Sequence, residues 1–218
     1  MVYFISLGPG DISMLTCEAR DVLASVCVVI ASGKRTTELV RRVCAKAELI
    51  EMDITMSSDR CAAMVEYDRI CSLIESRASS HDLAVVVEGD CSVYASVHYV
   101  MDMLADKGYE VRQLPGVPSF VAAAAHAGIS LVCQDESLVV LPGSLSSVSQ
   151  MADTTVVMKL SRCEDYVKHL MSSSTADSME FHYFENVCMP NSFYSKNVRG
   201  IMSRKFPYFS LMIIKKKR

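Results

Sequence analysis

Five short aliphatic runs in the first half of the chain, separated by stretches with helical spacing, restrict the fold more than any other feature. They are Val2 to Leu7, Cys27 to Ala31, Glu48 to Met52, Leu83 to Val87 and Val111 to Leu114. When strands alternate with helices, each helix returns the chain across the sheet, so the strands run mostly parallel and helices cover the faces. The first four runs are apolar enough to be covered on both sides. Between them, Ser57 to Arg77 places Met64, Tyr67, Cys71 and Ile74 on one helical face and leaves Asp59, Glu66 and Glu75 to water. Ser92 to Lys107 repeats the pattern with Val93, Val97, Val100 and Leu104, and Gly108 marks its end.

The texture changes after Leu114. A small-residue helix, Ser119 to Ala127, precedes strands expected at Leu138 to Leu141, Thr154 to Leu160, Met179 to Phe184 and Tyr208 to Ile214. A helix over Arg162 to Met171 opens with Ser161 and Glu164 at capping-box spacing. The serine-rich stretch Ser172 to Ser178 reads as a surface loop. The expected organisation is therefore α/β in two domains, residues 1–114 with a mostly parallel sheet and residues 115–218 with a mixed, more strand-rich sheet.

At 218 residues, half of them apolar and with a net charge of −3, the chain can bury a core and is not of the disordered class. Its longest apolar runs, such as Val26 to Ala31 and Phe120 to Ala125, are too short to cross a bilayer, so no membrane span is expected. The opening residues lack a basic leader and a cleavage site, which points to a cytoplasmic protein. Nine cysteines without a C-x-x-C pair argue against a disulfide framework and against a zinc site; no metal is expected. A mildly acidic balance without a basic stripe disfavours nucleic acid as a partner. The closing Lys215 to Arg218 reads as a solvated tail.

Three loops can bear chemistry. Gly8-Pro9-Gly10-Asp11 follows the first strand, at the end where α/β sheets bind ligands. Its glycines allow close approach, and Asp11 can cap the next helix or face a ligand. By itself it reads first as a structural turn, because the third glycine of a dinucleotide fingerprint is missing and no G-K-[ST] follows. Glu88-Gly89-Asp90 ends the fourth strand; Glu88 and Asp90 can form a carboxylate pair, or Asp90 is the N-cap of a helix from Cys91. Pro115 to Phe120 is a rigid turn leading into the alanine-rich helix. No G-x-S-x-G occurs, and the five histidines have no nucleophile partner in a motif.

In this order and spacing, the chain resembles the tetrapyrrole methylase family over nearly its whole length. The likeness rests on Ile5-Ser6-Leu7-Gly8-Pro9-Gly10-Asp11 with Leu15-Thr16, Val87-Glu88-Gly89-Asp90 with Tyr94, Pro115-Gly116-Val117 with Ser119 and Phe120, Val157-Met158-Lys159, and Tyr208-Phe209-Ser210-Leu211. Within the family these blocks are most similar to the branch that methylates precorrin-2 at C-20. The chain has Cys91 where the family usually has Pro, Ala95-Ser96 where Ser-Thr is usual, Ile12 in place of a common Pro, and Pro118 in place of a frequent Ser.

The resemblance implies a two-domain protein that folds S-adenosylmethionine into a cleft between its halves, commonly as a homodimer, and methylates a carbon of a tetrapyrrole. It further implies that Pro9 lines the cleft, that Glu88, Gly89 and Asp90 meet the methionine portion or ribose, and that Val93 packs beside them. Pro118 and Ser119 fall in the turn that meets the cofactor, and Met158 falls beside the adenine. Asp11 would face the tetrapyrrole and is the candidate acceptor for a proton lost from the methylated carbon. Lys34, Arg35 and Arg112 are candidates for holding substrate carboxylates. Other readings are methylation at another ring position, a non-catalytic small-molecule or nucleotide binder, and a scaffold with a degenerate site.

Overall fold

The computed structural model describes residues 1–44, 46–52, 60–78, 81–143 and 152–217, with side chains of the third segment from Ala63 onward. It divides into two units, Met1–Pro118 and Ser119–Arg218, where the sequence reading divides the chain after Leu114.

The first unit contains β1 (Val2–Ser6), α1 (Cys17–Ser25), β2 (Val28–Ser32), α2 (Gly33–Arg41), β3 (Glu48–Met52), α3 (Arg60–Ala78), β4 (Leu83–Val87), α4 (Val97–Asp106) and β5 (Val111–Leu114). Every strand pair is parallel, in the order β3-β2-β4-β1-β5. Alternate residues of β1 serve opposite faces: Val2 and Phe4 join Tyr67, Ile70, Ile74, Val97 and Val100 of α3 and α4, whereas Ile5 joins Ala19, Leu23 and Val40 of α1 and α2. The strands β1 and β4 are neighbours, yet the helices that follow them pack on opposite faces.

Several expectations are corrected at the level of single elements. Met64 is exposed and Ile70 takes its place in the core face of α3; Ser57 and Asp59 lie outside the described residues. The helix expected from Cys91 starts only at Val97, with Ser96 at its cap. Tyr94 adopts φ +51, a left-handed conformation that interrupts any helix begun earlier.

The second unit contains α5 (Ser119–Ala127), β6 (Leu138–Leu141), β7 (Thr154–Met158), α6 (Glu164–Ser172), β8 (Met179–Glu185), β9 (Phe193–Ser195), α7 (Val198–Met202) and β10 (Ser210–Lys216). Its sheet runs β6-β7-β10-β8-β9, with only the β6–β7 pair parallel. The fold class is the expected one, a parallel first sheet and a mixed second sheet; the short β9 and α7 carried no readable periodicity. Instead of a capping box, Cys163 caps α6 without a side-chain bond, and Glu164 pairs with Lys168 at 2.8 Å while accepting from the Phe206 amide at 3.0 Å. The loop expected at Ser172 to Ser178 is largely a 3-10 turn over Ser174–Ser178. The lysines expected to form a free tail are engaged: Lys215 donates to the Leu131 carbonyl and Lys217 to that of Asp177. Among the described residues no helix is long and apolar enough to cross a membrane, and no cluster of metal-ligating side chains occurs.

A partly buried charge network pins the end of β8. Tyr183 donates to Glu185 at 2.6 Å, and Arg204 grips both Glu185 oxygens at 2.7 and 2.9 Å while lying 4.1 Å over Phe193. Burial pushes the Glu185 carboxyl up, but the bonds from Arg204 and Tyr183 outweigh it and hold the group below the usual range. Glu185→Gln is expected to cost about 1.5 kcal/mol, because a neutral amide cannot accept from all three donors. The midpoint of a urea melt at neutral pH measures this.

Candidate functional site

The loops after β1, β4 and β5 meet at the carboxyl edge of the first sheet. After Leu7, whose amide donates to the Val87 carbonyl at 2.8 Å, Gly8 and Gly89 form an antiparallel bridge with N–H···O distances of 3.1 and 2.7 Å. Both have φ near +75, the left-handed region that a side chain would strain. A Cβ on Gly89 would meet nothing within 4 Å, so its outer side is open space.

A serine inside an otherwise apolar strand ties the third loop in. The Ser6 hydroxyl, fully buried, donates to the Leu114 carbonyl at 2.7 Å and accepts from the Cys91 amide at 2.9 Å. The second bond needs the backbone N–H of residue 91, which a proline at that position would lack. Burial pushes the Cys91 thiol up to about 11, with the Ser6 bond opposing, so this cysteine is inert near neutral pH.

Asp90 completes the junction. One carboxylate oxygen accepts from the Ser92 amide at 2.8 Å and from the Ser92 hydroxyl; the other accepts from the Gly116 amide at 2.8 Å. Burial raises its pKa, but these three bonds win and hold the carboxyl below its ordinary value. Asp90 is therefore a clasp between loops and not the N-cap of a helix. Gly116 lies so close that an added Cβ would stand 2.5 Å from Ser6 Cβ and 2.9 Å from the Gly89 carbonyl oxygen.

Glu88 and Asp90 do not pair, since the turn at Gly89 sends them to different partners. Arg35, in the first turn of α2, donates to Glu88 at 2.7 Å, and the Thr36 side chain lies near the same carboxylate. Burial lifts the Glu88 pKa most strongly and Arg35 opposes, leaving it above the usual carboxylate range. Neither Ser6 nor the Arg35–Glu88 contact was found from sequence; a lone hydroxyl ending an apolar strand was the available signal for Ser6.

The structure brings Pro9, Glu88, Gly89 and Asp90 together, with Pro9 buried and Val93 half-buried in the loop where its amide bonds to the Asp90 carbonyl at 3.2 Å. Asp11 is exposed and caps a short 3-10 turn by accepting from the Ser13 amide at 2.9 Å. That bond and one from the Ser13 hydroxyl hold its carboxyl below the ordinary value, with Arg42 adding to the effect. Pro118 is half-buried at the end of the first unit. Ser119 begins α5 and Met158 ends β7, both in the second unit. There the turn at Gly143 closes on Met158 and Lys159: a Cβ would lie 2.6 Å from the Lys159 oxygen and 2.9 Å from that of Met158. Of the candidate carboxylate holders, Arg35 is committed to Glu88 and Arg112 to Glu18.

The chain is similar to a precorrin-4 C(11)-methyltransferase of Rhodococcus erythropolis, 28% identical over 68% of this chain and 56% of that enzyme. It is also similar to a precorrin-2 C(20)-methyltransferase of a Sinorhizobium species, 26% identical over 96% of this chain and 93% of that enzyme. Among solved structures, a uroporphyrin-III C-methyltransferase of Thermus thermophilus complexed with S-adenosylhomocysteine superposes with a TM-score of 0.73 at 20% identity, over 98% of this chain and 96% of that one. The model of one family, described as Tetrapyrrole (Corrin/Porphyrin) Methylases, matches residues 1–198. With that much of its length accounted for, the chain belongs to the tetrapyrrole methylases.

Proposed function

We propose that this chain transfers the methyl group of S-adenosylmethionine to a ring carbon of a precorrin-type tetrapyrrole, with C-20 of precorrin-2, metal-free or carrying cobalt, as the acceptor position. The observation that carries the reading is the locked junction of three loops at the carboxyl edge of the parallel sheet, where Gly89 leaves open space next to Glu88, itself held by Arg35. These residues fit the donor. Bare backbone allows close approach, and a carboxylate complements a cationic ligand.

S-adenosylmethionine supplies an already activated methyl group on a sulfonium. In the proposal Pro9, Glu88, Gly89, Asp90 and Val93 hold that donor, and Pro118, Ser119 and Met158 contribute as the family resemblance implies. Positioning accounts for the catalysis, because holding two reactants in contact removes about 7–11 kcal/mol of a bimolecular barrier. No nucleophile or oxyanion hole is required of the protein. Asp11 is assigned the one proton transfer. Its carboxylate is ionised at neutral pH and accepts the proton from the newly methylated carbon, whose positive ring makes a weak base sufficient. The homodimeric state is part of the same proposal.

A second acceptor position is supported by the C(11)-methyltransferase relative, whose identity is no lower than that of the C(20) enzyme. Incubation with S-adenosylmethionine and a panel of precorrins, with the new methyl carbon located by NMR, separates the two. Binding of ATP by calorimetry, with no response to S-adenosylhomocysteine, would remove the methylase reading altogether. Asp11→Asn is expected to lower kcat by about 10²-fold while leaving S-adenosylhomocysteine affinity unchanged; turnover at the wild-type rate would end its role as base.

A further inference from the structure

The first turn of α2 stands beside the end of β4 because β2 pairs with β4 in parallel, Ala31 opposite Val86. This places Arg35 against Glu88, 53 residues away in sequence, with the side chains 33% and 21% exposed. Thr36, almost fully buried, lies near the same carboxylate. Asp90 turns toward Ser92 and Gly116, and the loop after β1 contributes the Gly8 backbone at Gly89. Among the described residues, Arg35 is the charged group that acts on Glu88.

We infer that Arg35 is a positioning residue for the methyl donor: it orients Glu88 as a charged acceptor for the donor's ammonium or hydroxyl groups, and it does not grip the acid groups of the tetrapyrrole. The inference rests on the methyltransferase reading above. Its physical basis is that a carboxylate withdrawn from water gains a proton unless a cation opposes this. A protonated Glu88 becomes a donor where an acceptor is needed. Arg35 opposes this, and its bond to one carboxylate oxygen sets the direction in which the group points.

Calorimetric titration of S-adenosylhomocysteine into the full chain, from about pH 5 to pH 9 to cover the range of raised carboxylates, tests it. Arg35→Gln is expected to weaken binding at neutral pH by about tenfold and to move the acid-side loss of affinity to higher pH, whereas Arg35→Lys recovers most of the affinity. Glu88→Gln is expected to bind weakly and without the acid-side loss. Arg35→Gln binding with wild-type strength and pH profile, while KM for the tetrapyrrole rises, would overturn the inference and make Arg35 a substrate clamp. If Arg35→Gln does not fold, an unchanged acid limb in Glu88→Gln overturns it instead. Absence of binding by the wild-type chain at any pH would instead sink the donor reading itself, and the inference with it.

Discussion

Gly116→Ala is expected to destabilise the first unit by about 3 kcal/mol and to weaken S-adenosylhomocysteine binding at least tenfold. The reason is space. The new methyl group would lie 2.5 Å from Ser6 Cβ, 2.9 Å from the Gly89 oxygen and 3.1 Å from the Ser6 oxygen. None of these is the far end of a flexible side chain, so the loops must move apart by about an ångström to restore ordinary contact. Overpacking of this kind costs about 1–3 kcal/mol. Separation would also stretch the Asp90–Gly116 and Ser6–Leu114 bonds, adding roughly 1 kcal/mol. For a chain of this size the melting temperature should fall by about 6–12 °C. A melt and a binding isotherm that match wild type would show that the tight approach at Gly116 does not organise the site.

Asp90→Ala is expected to cost about 2–3 kcal/mol, since it removes the buried acceptor that ties the half-buried Gly116 amide to the amide and hydroxyl of the more exposed Ser92. The conservative Asp90→Asn supplies a pH test. The folded chain holds the Asp90 carboxyl below its ordinary value, because the bonds from Ser92 and Gly116 exceed the opposing effect of burial. A depressed value means that the ionised group stabilises the fold above the unfolded pKa, near ~3.9. This contribution disappears as pH falls through the lower folded value. Denaturant midpoints measured between about pH 2 and pH 7 should therefore show a shallower acid-side fall for Asp90→Asn than for wild type. Equal slopes would mean that Asp90 does not sense its clasp.

The parts of the site that were legible in the sequence are those written in consecutive residues. Gly8 to Asp11, Glu88 to Asp90 and Pro115-Gly116 stand out because glycine and proline interrupt aliphatic runs, and each falls where a parallel strand ends. The strands Glu48–Met52, Leu83–Val87 and Val111–Leu114 have the expected limits. Helix starts were less legible. Asp90 has the chemistry of an N-cap, but Gly116 competes for its carboxylate from 26 residues away, and local propensity contains no record of that competitor.

The amino-acid order alone determined the alternation of strand and helix, the change of texture after Leu114, and the three turns at strand ends, because periodicity and backbone restriction are properties of neighbours in the chain. Which faces α1 and α4 cover, how Gly8 meets Gly89, why Ser6 has a hydroxyl, and that Arg35 faces Glu88 were decided only in three dimensions. Contacts such as Ser6 to Leu114 span 108 residues. They come into being when parallel pairing brings distant strand ends into register and packing leaves no room for anything but a glycine at position 116.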